Sequence, residues 1–225
     1  MRSARSDGKE TRRRIVEAAS VVFARAGYHE ATVARIREAA GVNQAAVNYH
    51  FGGKEQLYRE VWDHTQAVAE ESYPIEAAPD APAEERLRVF LRHHIHRTLD
   101  EGPAGRFARI LVHEIHDTRP VLGDEMREGW TRMNRIFESI LRDLLGPGLT
   151  ERDMELCRFS IMSPCIGLGM RLMRRKKKPI HHGSSLRFEP DELADHVYRF
   201  ARSGIRDMKE RIERRGEPAV PEMKE

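Results

Sequence analysis

Apolar residues recur along this chain at three- and four-residue intervals, the period of helices lying on a core, and show no two-residue alternation of half-buried strands. Over residues 9–26, Ile15, Ala18, Ala19, Val22 and Phe23 make one stripe; over 54–72, Leu57, Tyr58, Val61, Trp62 and Val68 make another. Residues 73–82, YPIEAAPDAP, break the pattern with three prolines and read as a loop. Further helices are predicted over 83–100, 105–117, 120–145, 150–174 and 190–215. Pro120 and Pro190 suit first-turn positions, and Thr150-Glu151-Arg152-Asp153 suits a helix cap. A basic arm over 1–8 and a flexible tail over 216–225 are expected outside this frame. The pattern predicts an all-α protein without internal repeats.

Between the first two stripes lies a denser signal, TVARIREAAGVNQAAVNYHFGGK, residues 32–54. Thr32 can cap a short helix with Val33, Ile36, Ala39 and Ala40 on one side. Gly41 ends it, since a residue without Cβ enters the left-handed conformation cheaply. Asn43 can cap a second helix over 44–51, with Val47 and Phe51 facing the core and Val42 packing nearby. Two short helices joined by a tight turn are the layout of a helix-turn-helix, whose second helix enters the DNA major groove. Gln44 and Asn48 offer the paired donor and acceptor that read adenine. Ala45 lets the backbone come close to DNA. Tyr49 and His50 suit phosphate oxygens, as do the hydroxyl of Thr32 and the ammonium of Lys54, each at a helix N-terminus. For each of the polar residues a solvated side chain is the plainer alternative, and for His50 bracing the turn is an equal alternative.

Charge supports this placement. The formal net charge is +3, but residues 1–60 hold 11 lysines and arginines against 7 acids, and the rest hold 28 against 29. The positive excess therefore sits on the proposed DNA-binding module. The arginine-rich start (Arg2, Arg5 and Arg12 to Arg14) is a candidate for a flanking minor groove or a solvated arm. The basic run at residues 174–178 reads as a solvated loop.

Other chemistry is sparse. Cys157 and Cys165 lie eight apart in one predicted helix, too far for a mutual disulfide. Histidines cluster at His93-His94-x-His96 and at His113-Glu114-x-His116-Asp117. Spacings of three and four can place imidazole and carboxylate on one face, but a closed metal site takes about four ligands, so no metal and no cofactor is expected. GxSxG, HExxH and Gly-rich phosphate loops are absent, which disfavours an enzyme. No apolar run approaches the ~18 residues of a membrane span. With no signal-peptide pattern, a soluble cytoplasmic protein is expected.

Residues 24–58, ARAGYHEATVARIREAAGVNQAAVNYHFGGKEQLY, resemble the TetR family of transcriptional regulators. Gly27-Tyr28, Thr32, Ala40-Gly41-Val42, Tyr49-His50-Phe51 and Lys54-Glu55-Gln56-Leu57 carry the likeness. Asn48 stands where many members have tyrosine, and the Asn-Tyr-His-Phe run is similar to a subset that includes CecR-like regulators. The resemblance implies a three-helix DNA-binding domain over 1–53 and a larger helical regulatory and dimerisation domain over 54–215. It further implies a homodimer on a palindromic operator, most simply a repressor released by a small-molecule effector. A regulator controlled by a protein partner or a metal is the alternative.

It also implies that the last two long helices pair with their symmetry mates. Phe159, Met162, Ile166, Gly169, Met170, Met173, Val197 and Phe200 are the candidates, unless the same face packs only within the monomer. For the effector pocket the candidates are Phe90, His94, Phe107, Leu111, Trp130, Met133, Phe137 and Met162, with His113 and Glu114 as polar anchors. Ordinary core packing is the alternative for each.

Overall fold

Local capping chemistry sets the helix boundaries. The structure, a computed structural model, describes residues 3–78, 80–177 and 188–216, with side-chain surroundings for 7–78, 80–168 and 188–215. Among them run nine helices and no strand: α1 Ser3–Glu30, α2 Val33–Ala40, α3 Gln44–Phe51, α4 Lys54–Ser72, α5 Ala83–Leu99, α6 Gly105–His116, α7 Gly123–Leu145, α8 Glu151–Lys177 and α9 Pro190–Gly216. The all-α expectation holds. So does the loop over 73–82, with Pro79 outside the described residues.

Four boundaries differ from the sequence reading by three residues or more, one of them the end of α1, which lies at Glu30, past a kink at Gly27, rather than at Ala26. α1 begins at Ser3, so most of the expected N-terminal arm is helical. α7 begins at Gly123 rather than at Pro120. There the Glu114 carboxyl takes the amides of Val121 (2.9 Å) and Leu122 (3.0 Å), and Asp117 takes that of Arg119 (2.9 Å), so residues 117–122 form a turn instead of a first helical turn. α8 continues to Lys177, which makes most of the basic run helical; of the proposed tail over 216–225, Gly216 ends α9, and Lys178 and residues 217–225 lie outside the described residues. At the start of α8, Thr150 Oγ1 accepts from the Asp153 amide (3.2 Å) and Asp153 Oδ2 accepts from the Thr150 amide (3.2 Å), the reciprocal cap that the sequence indicated.

Two apolar cores divide the chain. The first joins Ile15, Ala19 and Phe23 of α1, Ile36 of α2, Val47 and Phe51 of α3, and Leu57, Tyr58, Val61 and Trp62 of α4 with Ile110 of α6 and Leu122. The second joins α5, α7, α8 and α9 through Leu87, Phe90, Leu91, Phe137, Leu141, Met154, Ile161 and Tyr198. Because α4 and α6 belong to the first core, the helix-turn-helix is packed into the larger body. Movement of α4 or α6 therefore reaches α1 through tight packing.

Candidate nucleic-acid interface and effector cavity

α2 and α3 are fixed at both ends. Thr32 Oγ1 accepts from the Arg35 amide (3.3 Å), and Asn43 Oδ1 accepts from the Ala46 amide (2.9 Å). Gly41 adopts φ 63°, its amide bonds to Glu38 O (3.2 Å), and the Val42 amide bonds to Arg37 O (3.0 Å), a Schellman closure. From α1, Arg14 Nη2 donates to Ala40 O (2.6 Å) and Gly41 O (3.2 Å), placing a guanidinium on the free carbonyls of α2. On α3, Val47 and Phe51 are buried while Gln44, Ala45 and Asn48 are exposed and Tyr49 is 86 % exposed. The outer face thus holds the two amides, the small residue and the phenol that the sequence proposed. His50 is half-buried and meets the Tyr49 ring edge-on at 5.1 Å. Thr32 is exposed at the start of α2. Ala39, expected inward, faces solvent.

Lys54 sits at the start of α4, with its Nζ 4.2 Å above the Tyr28 ring. Partial burial holds its pKa below the usual lysine range. Arg12 and Arg13 are occupied within the protein: Arg12 pairs with Glu60 (2.8 Å) and lies over Phe51, and Arg13 pairs with Glu10 (2.7 Å). With Arg14 on α2, none of these three is held ready for a minor groove. Arg2 and the Arg5 side chain lie outside the described residues.

Tyr28 leads inward. Its ring centroid lies 5.0 Å from that of Tyr58, and Phe23 meets Tyr58 edge-on at 4.6 Å. Tyr58 Oη donates to Glu114 Oε1 (2.8 Å) inside the core. Burial and the neighbouring Glu114 push the Tyr58 pKa far up, so its proton stays in place. Gly27 lets α1 approach α6 here: at φ 70° it lies under His113, and a Cβ would come 2.9 Å from His113 Nδ1. Beside this contact Arg106 of α6 binds Ser20 (2.8 Å) and Glu17, whose other oxygen faces His64 of α4 (3.3 Å).

A cavity of about 60 Å³ lies among α4, α5, α6 and α7, lined by Trp62, Gln66, Glu70, Ile75, Arg97, Phe107, Leu111, Met126, Gly129, Trp130, Arg132 and Met133. Four proposed pocket residues meet there: Phe107, Leu111, Trp130 and Met133. Trp130 and Met133 also line an outer cleft of about 570 Å³ between α7 and α8, which Met162 and Ile166 share. The remaining pocket candidates lie elsewhere. Phe90 and Phe137 stack on each other in the second core at 5.2 Å. His94 stacks on Phe90, and burial pushes its pKa down to about 4. His113 lies under Gly27, and Glu114 holds Tyr58 and the 121–122 turn. The cavity's polar wall went unseen in the sequence. Arg97, 8 % exposed, donates to Tyr73 O (2.8 Å) and to Glu70 (2.6 Å), and Arg132 stands 3.8 Å from Glu70.

α8 and α9 present an apolar outer face. Phe159 is 72 % and Phe200 75 % exposed, and a groove of about 410 Å³ runs between the helices past Leu156, Pro164, Val197 and Phe200. Of the proposed interface residues, Met162 is buried in the second core and Ile166 is half-buried. Gly169, Met170 and Met173 are on α8, but their side chains lie outside the described residues. The histidines are spread over separate partners: His93 on Pro74 O, His96 on Asp191 (2.8 Å) and His116 on Val112 O (2.8 Å).

Two family models cover most of the chain: bacterial regulatory proteins of the tetR family over residues 15–61, and the C-terminal domain of the HTH-type transcriptional dual regulator CecR over 83–205. The second alone spans more than half of the sequence. The chain belongs to the TetR family of transcriptional regulators. It is 27 % identical over 160 residues to the HTH-type transcriptional regulator SrpR of Pseudomonas putida, spanning 69 % of this chain and 70 % of that one. The fold matches a TetR-like regulator from Rhodococcus with a TM-score of 0.67 at 17 % identity, covering 87 % and 96 % of the two chains. It also matches FadR of Bacillus subtilis in complex with stearoyl-CoA, with a TM-score of 0.62 at 21 % identity, covering 85 % and 98 %. TetR-family proteins are DNA-binding regulators and generally not enzymes. Among the described residues of this member no helix is long and apolar enough to cross a membrane.

Proposed function

We propose that this TetR-family chain is a ligand-responsive regulator that binds a palindromic operator as a homodimer and is released from it by a small molecule, acting most simply as a repressor in the cytoplasm. The DNA-binding domain over 1–53 ends where α4 leaves it for the regulatory domain over 54–215. The observation that carries this reading is α3, capped at both ends, buried on Val47 and Phe51, and open to solvent on Gln44, Ala45, Asn48 and Tyr49. Gln44 and Asn48 would read base edges, while Thr32, Tyr49, His50 and Lys54 would hold phosphates. The exposed α8–α9 face supports pairing with a second copy, which would set two α3 helices about one DNA turn apart, ~34–36 Å.

The cavity beside α4 supports the effector half of the proposal, as does the stearoyl-CoA complex of a regulator with this fold. At about 60 Å³ it is far below the ~150 Å³ that accommodates benzene. A ligand must therefore part α4 from α7, and swinging Trp130 and Met133 aside would join the cavity to the outer cleft. Only a ligand that favours the opened state over the DNA-bound one shifts the balance. The test is selection of duplexes from a random pool at moderate salt. Enrichment of a palindrome, lost with Gln44→Ala and Asn48→Ala, supports the proposal; retention of DNA without sequence preference defeats it.

A further inference from the structure

Lys54 is a half-buried ammonium without an acid partner. Among the described residues its Nζ makes no hydrogen bond and no ion pair. Glu55, the next residue, pairs with Arg59 instead (3.2 Å). Burial is accordingly what lowers the Lys54 pKa, with no carboxylate offsetting it. What holds the ammonium is the face of the Tyr28 ring, 4.2 Å away. A cation over a ring is attracted by the negative face of the π-system and spends no N–H on an acceptor. All three ammonium donors therefore stay available on a group that folding has already placed. The platform is itself fixed. Gly27, at φ 70°, kinks α1 one residue before Tyr28. The Tyr28 ring packs against the first core beside Tyr58 (5.0 Å) and Phe23 (6.4 Å), and Tyr58 is tied to Glu114. The Tyr28 hydroxyl makes no hydrogen bond among the described residues, so the ring rather than the phenol oxygen does the holding.

We propose that Tyr28 is a positioning residue for DNA binding: its ring holds the Lys54 ammonium where a backbone phosphate of the duplex meets it. The proposal rests on the reading of Lys54 as a phosphate contact. Tyr28 touches no DNA in this account and acts through Lys54 alone. A free lysine stem loses rotamer freedom worth roughly tenfold in affinity when a partner orders it. A stem already parked on a ring loses less, so the duplex meets a charge that the fold has ordered beforehand.

The test is a double-mutant cycle between positions 28 and 54 of the full chain, read as affinity for any duplex that the chain retains, since phosphate contact does not depend on sequence. Tyr28→Leu is expected to weaken binding about two- to fivefold beside Lys54 and to change nothing in the Lys54→Met chain. Tyr28→Phe keeps the ring face and is expected to bind like the wild type. Equal weakening in both backgrounds would assign Tyr28 to packing, and a Phe variant as weak as the Leu variant would assign the effect to the hydroxyl; either overturns the proposal. Mono-, di- and trifluorophenylalanine at position 28 keep the shape of the ring and drain its face step by step. Affinity should fall with each fluorine, and a flat series overturns the proposal even if Tyr28→Leu does not fold. The salt dependence of the Lys54→Met chain separates the two levels. An unchanged slope of log affinity against log salt refutes the phosphate contact and the proposal with it. A lowered slope without coupling to Tyr28 leaves the contact and refutes the positioning role.

Discussion

Tyr58 Oη of α4 lies 2.8 Å from Glu114 Oε1 of α6, and the other Glu114 oxygen takes the amides of Val121 and Leu122 ahead of α7. One buried carboxyl thus ties the helix that carries the DNA module to the turn that launches the helix along the cavity. Tyr58→Phe keeps the ring and removes the donor, and is expected to cost about 1 kcal/mol. Glu114→Leu strands two amides and a phenol in the core and is expected to cost about 3 kcal/mol or more. Urea denaturation of the two variants and of their combination measures both; a combined loss equal to the sum of the separate losses would mean that the two groups do not act together.

The helix-turn-helix was legible because its signals are local. Thr32, Gly41 and Asn43 act within three or four residues of themselves, and Val47 and Phe51 face inward by helical period alone. What the sequence hid spans longer distances. Arg14 caps a helix that ends 26 residues later, Glu114 meets a tyrosine 56 residues earlier, and Arg97 finds Glu70 across the 73–82 loop. The residues that line the cavity beside α4 were legible only in part, because Phe90 and Phe107 look alike in sequence. One stacks on Phe137 in the core, and the other faces a cavity. Period places both inward but does not tell packed atoms from empty space.

Arg14 offers a test of positioning against direct contact. Its guanidinium is spent on the α2 carbonyls, so Arg14→Met is expected to cost the module about 1 kcal/mol and to weaken DNA binding alike for all sequences. The slope of log affinity against log salt should stay unchanged, whereas Lys54→Met should lower it by about one if its ammonium meets a phosphate. A reduced slope for Arg14→Met would assign that residue to the DNA instead.

The exposed Phe159 and Phe200 make a second test. If α8 and α9 pair with a second copy, Phe200→Glu buries a charge in an apolar interface and is expected to cost several kcal/mol of association. Sedimentation should then show monomers, and affinity for a full palindrome should fall toward that for a half-site. A variant that remains dimeric at micromolar concentration would place the interface on another face.

His94 makes stability depend on pH in a defined direction. Stacked on Phe90, with burial and then the Arg97 charge opposing its protonation, it has a pKa of about 4 in the folded chain against 6.5 ordinarily. Between these values the unfolded chain holds the extra proton and the folded chain does not. The contribution of a neutral His94 is therefore complete above about 6.5 and is lost as pH falls toward 4, with a slope of at most ~1.4 kcal/mol per pH unit. His94→Phe preserves the stack and removes the titration, so the variant should gain on the wild type as pH drops from about 7 to about 5. Urea midpoints of the two chains at both pH values measure the difference. Parallel losses in wild type and variant would show that the acid sensitivity of the fold comes from other groups.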